Sequence, residues 1–383
     1  MRIRFIAKNI PVPGKAGNPV VLDIAARLQD REHTIDLIYP KEWVPWVLRR
    51  HPKYRHLYGL GPWSSQGLFV RPWTYPRLPF PAHAYRLLGT YALPGWKRQD
   101  AYDLLHAHYL LPDGWLGVRL GQETGRPVVV TARSTDVKLL RKSGPESHTW
   151  RLARQVLSRV DTLLTLNGPV RDFFSRHFGV AAEILPHGIS EDLIGPDIPA
   201  PKDIDVLTVG SAIPRKQVDW VIRAFREAPQ ADDKRLVVVG EGPSLVDWKK
   251  IAAGDSRIQF AGRLPHHAVM ALMQRSKIFA LPSYQETFGL VYLEAAAAGN
   301  ALIGRAGEGV SGVFQPTDGM DFPVDYPGFR RVLHELFARP PWRAERARAA
   351  WQRVRQLTWP VITDQYETLY RGIVDSTNPV SRK

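Results

Sequence analysis

The chain has 383 residues, too many for one hydrophobic core and suited to two domains of ordinary size. An apolar content of 44% excludes a disordered chain, and the absence of cysteine excludes disulfides, thiolate catalysis and cysteine metal sites. The net charge of +15 favours anionic partners: phosphorylated ligands, nucleic acid or an acidic membrane surface.

Read in chain order, "RIRFIA" predicts a buried first strand, "NPVVLDIAARLQD" an amphipathic helix and "TIDLIYP" a second strand. The apolar start is too short for a signal peptide, and no run of about eighteen apolar residues predicts a transmembrane helix. The expected location is therefore cytoplasmic. Residues 41–98 form a basic, aromatic stretch: Lys41, Arg49, Arg50, Lys53, Arg55, Arg71, Arg77, Arg86, Lys97 and Arg98 stand against Glu42 alone. Trp43, Trp46, Tyr54, Trp63, Phe69, Trp73, Phe80 and Trp96 are interleaved with them. Tryptophan and lysine or arginine together suit an anionic interface, which predicts peripheral membrane contact; a solvated insert is the alternative. "DLLHAHY", "PVVVTARS", "VDTLLTLN" and "EILPHG" read as further buried strands, and "EDLIGPDIPAPKDID" as a linker.

The pattern then restarts with the strand "DVLTVGS", the helix "QVDWVIRAFREAP" and the strands "RLVVVGEGP", "IQFAGRL", "KIFALPS" and "NALIGRAGEGV". Alternating strands and helices predict parallel α/β sheets, whose ligands bind at the carboxyl ends of the strands. Domains over 1–195 and 196–359 would place the site in the cleft between them, and "WPVITDQYETLYRGIVDS" predicts a terminal helix over about 360–378 that returns to the first domain.

Five short stretches could carry chemistry. In "PSYQETFGLVYLEAAAAG", Glu286 precedes a helix predicted to start near Phe288 to Leu290, and Glu294 lies inside it. Free amides at a helix start attract phosphate, and carboxylates accept bonds from vicinal hydroxyls. A ligand with a diphosphate between a sugar and a nucleoside would meet Glu286, the amides of Gly289 to Val291, and Glu294. On spacing alone, a helix cap and a solvated glutamate remain open as the other reading. In "VGSAIPRKQVDWVIRAF", Gly210 ends a strand, and Arg215 and Lys216 beside a helix start form an anion site or a solvated basic loop. In "DLLHAHYLLPDG", alternation puts His106 and His108 on one strand face, either as a metal pair without a third ligand nearby or as cleft histidines. "TARSTDVKLL" adds Arg133, Ser134 and Asp136, and "AGNPV" offers Gly17 and Asn18 at a loop-to-helix junction. "GEGP" at 240–243 fits a turn, and the Asp-x-Asp at 203–205 is read as chance.

With these residues in view, the chain resembles the retaining glycosyltransferases of family 4, and most strongly over residues 205–300. "PSYQETFGLVYLEAAAAG" is similar to the family's two-glutamate motif, "VGSAIPRKQVDWVIRAF" to its phosphate-binding loop, and "HAHYLLPDG" to its acceptor-side motif. The resemblance implies the GT-B fold, two facing Rossmann-like domains, and sugar transfer from a UDP-, GDP- or ADP-sugar to an acceptor hydroxyl with retention. It implies no metal, and no cofactor is expected; the basic, aromatic stretch 41–98 predicts a lipid-linked or growing polysaccharide acceptor, and no recognition motif supports nucleic acid. The resemblance implies catalytic roles for Glu286, His108, Arg215 and Lys216. Donor contacts would come from these and from Gly17, Gly210, Phe288, Gly289, Leu290, Val291 and Glu294. Sugar or acceptor contacts would fall to Asn18, His108, Arg133, Asp136 and His187. The chain departs from the family pattern at Gln217, at Arg133 and Ser134, at His187, and in having Gly17 without a second glycine beside it.

Overall fold

The computed structural model describes residues 1–78, 81–88, 102–229 and 231–377. The chain divides into two compact units. The first takes Met1–Leu166, Val170–Leu185 and the chain from Thr363; the second takes Asn167–Pro169 and Pro186–Ile362. Among the described residues no helix is long and apolar enough to cross a membrane.

In the first unit the chain runs β1 (Arg2–Ile6), α1 (Val20–Gln29), β2 (Thr34–Glu42), β3 (Trp63–Ser65), β4 (Leu68–Tyr75), β5 (Leu104–Ala107), α2 (Trp115–Thr124) and β6 (Val128–Ala132). It continues through α3 (Ser134–Ser143), α4 (His148–Leu157), β7 (Thr162–Thr165), α5 (Gly168–Phe178) and β8 (Glu183–Ile184). The eight strands are ordered β3-β4-β2-β1-β5-β6-β7-β8. The β-branched run Val128, Val129, Val130 is wholly buried, as a strand covered on both faces requires. The sheet is not purely parallel: β3 runs antiparallel to β4 through a tight turn at Gln66 and Gly67, both with positive φ. That hairpin lies inside the basic stretch, where the short polar "WSS" gives no apolar signal. Phe80, Trp96, Lys97 and Arg98 of that stretch lie outside the described residues.

In the second unit the order is β9 (Ile204–Val209), α6 (Val218–Arg226), β10 (Leu236–Val239), α7 (Leu245–Ala252), β11 (Ile258–Gly262), α8 (His266–Arg275), β12 (Ser276–Ala280), α9 (Leu290–Ala297), β13 (Ala301–Ile303) and β14 (Met320–Asp321). Helices α10 (Tyr326–Ala338), α11 (Pro340–Val354) and α12 (Trp359–Thr377) follow, α12 belonging to the first unit from Thr363. The six strands are ordered β11-β10-β9-β12-β13-β14, every pairing parallel. Helix α6 buries Val218, Val221, Ile222 and Phe225, the three-and-four spacing of one helical face. In each sheet strand order reverses at one strand, β1 in the first and β9 in the second. Loops leaving the carboxyl ends of such strands part to opposite faces and leave a crevice for ligands.

Candidate active site

The loop after β9 meets the loop after β10 backbone to backbone. The Gly210 amide donates to the Val239 carbonyl at 3.0 Å, and the Ala212 amide to the Glu241 carbonyl at 2.8 Å. Gly240 has φ +138°, and a Cβ there would lie 1.9 Å from the Gly210 carbonyl oxygen. The "GEG" glycines are therefore more than a turn: they let the two loops cross. A short 3-10 turn, Pro214–Lys216, then presents Arg215 and Lys216 ahead of α6. The left-handed residue that closes this turn is Gln217, with φ +47°. Its side chain accepts from Arg305.

The loop after β12 faces this turn. The Tyr284 amide donates to the Arg215 carbonyl at 2.9 Å, which ties the two loops together. Lys216 Nζ donates to Glu286 Oε2 at 2.5 Å, and an Arg215 guanidinium nitrogen lies 3.6 Å from the same oxygen. Ser283 Oγ donates to that oxygen at 3.2 Å, and the Thr287 amide donates to Oε1 at 3.2 Å. The Lys216 and Glu286 side chains are 12% and 10% exposed, Arg215 37%. Burial alone would raise the Glu286 carboxyl, but the Lys216 charge and hydrogen bond, with Arg215 behind them, hold it below its ordinary value. Glu286 is thus ionised at neutral pH and already opposed by two cations.

Helix α9 starts just past this pair. Gly289 has φ +88°, and a Cβ would lie 2.7 Å from the Tyr292 ring, so the turn into the helix requires glycine. Phe288 is buried edge-on against His187, ring centroids 5.1 Å apart, which places His187 under the same loop. Leu290 and Val291 are half-buried at the helix start. Glu294 Oε1 lies 3.0 Å from His266 Nε2 on α8. Three further groups hold the loop and were not singled out from sequence. Glu308 accepts the Glu286 amide at 3.1 Å, Asn167 donates to the Thr287 and Gly309 carbonyls at 3.2 and 2.6 Å, and Ser283 binds Glu286. Glu308 and Asn167 stand 22 and 120 residues from their partners, beyond any local pattern.

In the first unit β5 stops at Ala107, so His108 sits just past the strand end rather than on it. Both its ring and that of His106 are buried, stacked at 4.1 Å, with Phe5 edge-on to His108 at 4.6 Å. His106 Nδ1 is 2.6 Å from the Tyr370 hydroxyl and Nε2 2.7 Å from Thr131 Oγ1. Both its nitrogens are thereby occupied, so it serves the core rather than half of a metal pair. Burial, with the Arg133 charge adding to it, lowers its pKa to about 3 and keeps it neutral. Arg133 Nε donates to the His108 carbonyl at 2.9 Å. Asp136 accepts the Arg133 and Leu110 amides at 2.9 and 3.2 Å. Gly17 lies against the Ile10 backbone, 2.4 Å from where its Cβ would be, and Asn18 Oδ1 accepts the Val20 amide at 3.1 Å, capping α1. The Asp-x-Asp is structural: Asp203 pairs with Arg275 and Asp205 with Lys277.

The structure thus gathers Gly210, Arg215, Lys216, Glu286, Phe288 to Val291, Glu294 and His187 within the second unit, and His108, Arg133 and Asp136 within the first. Comparison with known proteins identifies the family and the fold. The model described as Glycosyltransferase Family 4 matches residues 18–193, and that described as Glycosyl transferases group 1 matches residues 193–323. The D-inositol 3-phosphate glycosyltransferase of Nocardiopsis dassonvillei is 26% identical, across 94% of this chain and 91% of its own length. The glycogen synthase of Mycobacterium tuberculosis is 30% identical, across 72% of this chain and 70% of its own. Anabaena HepE, solved in complex with UDP, shares the fold with a TM-score of 0.66 at 14% identity, over 97% of this chain and all of that one. The chain belongs to the group 1 glycosyltransferases of the two-domain α/β GT-B fold, and it is an enzyme that transfers glycosyl groups.

Proposed function

We propose that this enzyme moves a sugar from a nucleoside-diphosphate sugar to an acceptor hydroxyl, with retention at the anomeric carbon, in cell-surface polysaccharide or glycolipid synthesis. The observation that carries the reading is the Lys216–Glu286 contact beside Arg215 at the start of α9. A diphosphate entering there offers Lys216 and Arg215 new anionic partners and adds the amides of Gly289 to Val291. Lys216 then exchanges a carboxylate for phosphate oxygens, which frees Glu286 to bind sugar hydroxyls and to oppose the positive charge that grows on the ring. The same cations neutralise charge on the departing diphosphate. They fill the role a divalent metal would otherwise take, so turnover is proposed to persist in EDTA. Glu294 meets the ribose hydroxyls, exchanging His266 for them. Gly210 and Gly17 would line the donor's path, with Asn18, His108, Arg133, Asp136 and His187 on the sugar or acceptor side. Arg133 and Asp136 would act there through the 108–110 backbone they hold. The UDP of HepE and the inositol phosphate and glycogen named for relatives support a nucleotide donor and a hydroxyl acceptor.

A lipid-linked or growing polysaccharide acceptor suits the surface of the first unit. Trp43 and Trp46 are 55% and 66% exposed, close in sequence to Arg49 and Arg50, which supports contact with an anionic membrane. Release of nucleoside diphosphate from a panel of UDP-, GDP- and ADP-sugars, with and without EDTA, tests the donor and the metal together. Turnover of none of them, or full loss in EDTA, contradicts the proposal. Sedimentation with anionic vesicles at low salt tests the membrane contact, and an unbound protein ends it.

A further inference from the structure

A pocket of about 280 Å³ in the first unit lies between α2, α4 and the segment that carries Arg86. Its lining includes Arg86, Arg119, Arg151, Arg159 and His148, and no carboxylate among the described residues. Trp115 and Leu152 are buried beneath them as an apolar floor. None of the four arginines forms an ion pair among the described residues. The Arg119 guanidinium lies 5.8 Å over the Trp115 ring, which orients it across the floor. Burial first, then the positive charge of Arg151, Arg86 and His83, lowers the pKa of His148. Several arginines elsewhere are paired closely: Arg4 and Arg71 with Asp36, Arg257 with Asp255, Arg346 with Asp321. Here four arginines line one pocket with no acidic partner among the described residues.

We propose that this pocket is a binding site for a phosphate group, separate from the proposed donor site and independent of it. Guanidinium forks match phosphate oxygens in pairs, and arginine is the residue best suited to that geometry. His148, the first residue of α4, places the amino end of that helix at the rim and adds to the attraction. The volume is below that of sites for drug-sized molecules and fits one phosphate with a small attached group resting on Trp115. The ligand is therefore a small soluble phosphate ester or a lipid whose headgroup is a phosphate monoester.

The test is calorimetric titration of the full chain with inorganic phosphate and with glucose 1-phosphate, using the Lys216→Ala variant to silence the proposed donor site. Both ligands should still bind that variant. Adding Arg119→Gln and Arg151→Gln, both exposed positions on helices, should weaken binding more than tenfold with the thermal midpoint preserved. Adding Arg119→Glu and Arg151→Glu instead should abolish it. Vesicles of phosphatidylcholine with and without phosphatidic acid separate the two sources. Binding to the phosphatidic acid vesicles that the glutamate variant loses identifies a lipid headgroup, and binding to glucose 1-phosphate alone identifies a soluble ester. If phosphate, glucose 1-phosphate and both vesicles bind the glutamate variant as they bind its Lys216→Ala parent, or bind neither, the proposal fails.

Discussion

Both sheets reverse strand order at one strand, and both place a lysine in the loop that follows it: Lys8 after β1, Lys216 after β9. The two lysines are used differently. The Lys8 amide donates to the buried carboxylate of Asp113 at 3.0 Å, and its ammonium donates to the Leu111 carbonyl and lies 5.0 Å over the Tyr109 ring. Burial pushes Asp113 up to about 8 despite the Lys8 charge, a sign of how little solvent reaches it. Asp136, in the same cluster, spends its oxygens on two backbone amides. Around Lys216, the partner is one carboxylate, Arg215 stands by more than a third exposed, and the helix amides of α9 lie next to them. Equivalent places in two related sheets thus hold a buried hydrogen-bond network in one case and an exchangeable ion pair in the other. The first fixes loop geometry; the second can trade its carboxylate for a ligand.

That contrast can be broken or sharpened by four measurements, taken from the largest effect to the smallest. Lys216→Ala should lower turnover by about 10²- to 10³-fold, the scale for removing one preorganised donor to developing charge. Its unfolding free energy should change less than that of Lys8→Ala, because Arg215, Ser283 and the Thr287 amide still hold Glu286. Lys8→Ala should cost about 2 kcal/mol of stability in urea titration, since the buried Leu111 carbonyl loses its donor and the Tyr109 ring its cation. Equal stability losses in the two variants would erase the distinction between the lysines.

The third measurement is pH dependence. His106 has a folded pKa depressed to about 3, so the unfolded chain takes up a proton below its ordinary value of 6.5 while the folded chain does not. Stability from this group is present above 6.5 and lost as pH falls toward 3. Between pH 6.5 and 4.5 the loss should be about 2.5 kcal/mol, and His106→Gln should remove that part of the slope. The smallest effect is that of Glu294→Gln, which should weaken nucleoside diphosphate binding about tenfold by calorimetry and leave kcat nearly unchanged, as the loss of a charged hydrogen bond remote from the reacting atoms would.

Much of the second unit's site was legible because its logic is local. A strand end, a loop carboxylate, a left-handed glycine and a helix start follow one another within 282–294, and Gly289 has the conformation that the motif needs. The Arg215–Lys216 pair was legible for the same reason. What the sequence hid comes from distance: Asn167 and Glu308 reach the loop, and His266 reaches Glu294 on α9, from other elements, and no spacing rule singles them out. In the first unit, alternation suggests a strand through His108, but pairing with β1 ends at Ile6 and Ala107, so His108 sits just past the strand, held by its amide on the Ile6 carbonyl and by stacking on His106. The antiparallel hairpin β3–β4 leaves no strand pattern in the sequence because its first strand is one tryptophan and two serines.

The most direct test of the central claim is calorimetric titration of the wild type, Lys216→Ala and Glu286→Gln with UDP, GDP and ADP. The account predicts that at least one nucleotide binds the wild type, that Lys216→Ala weakens it at least tenfold, and that Glu286→Gln, which releases Lys216 from its competitor, binds it as tightly or more tightly. Unchanged affinity in Lys216→Ala, or binding lost in Glu286→Gln with the fold intact, would contradict it.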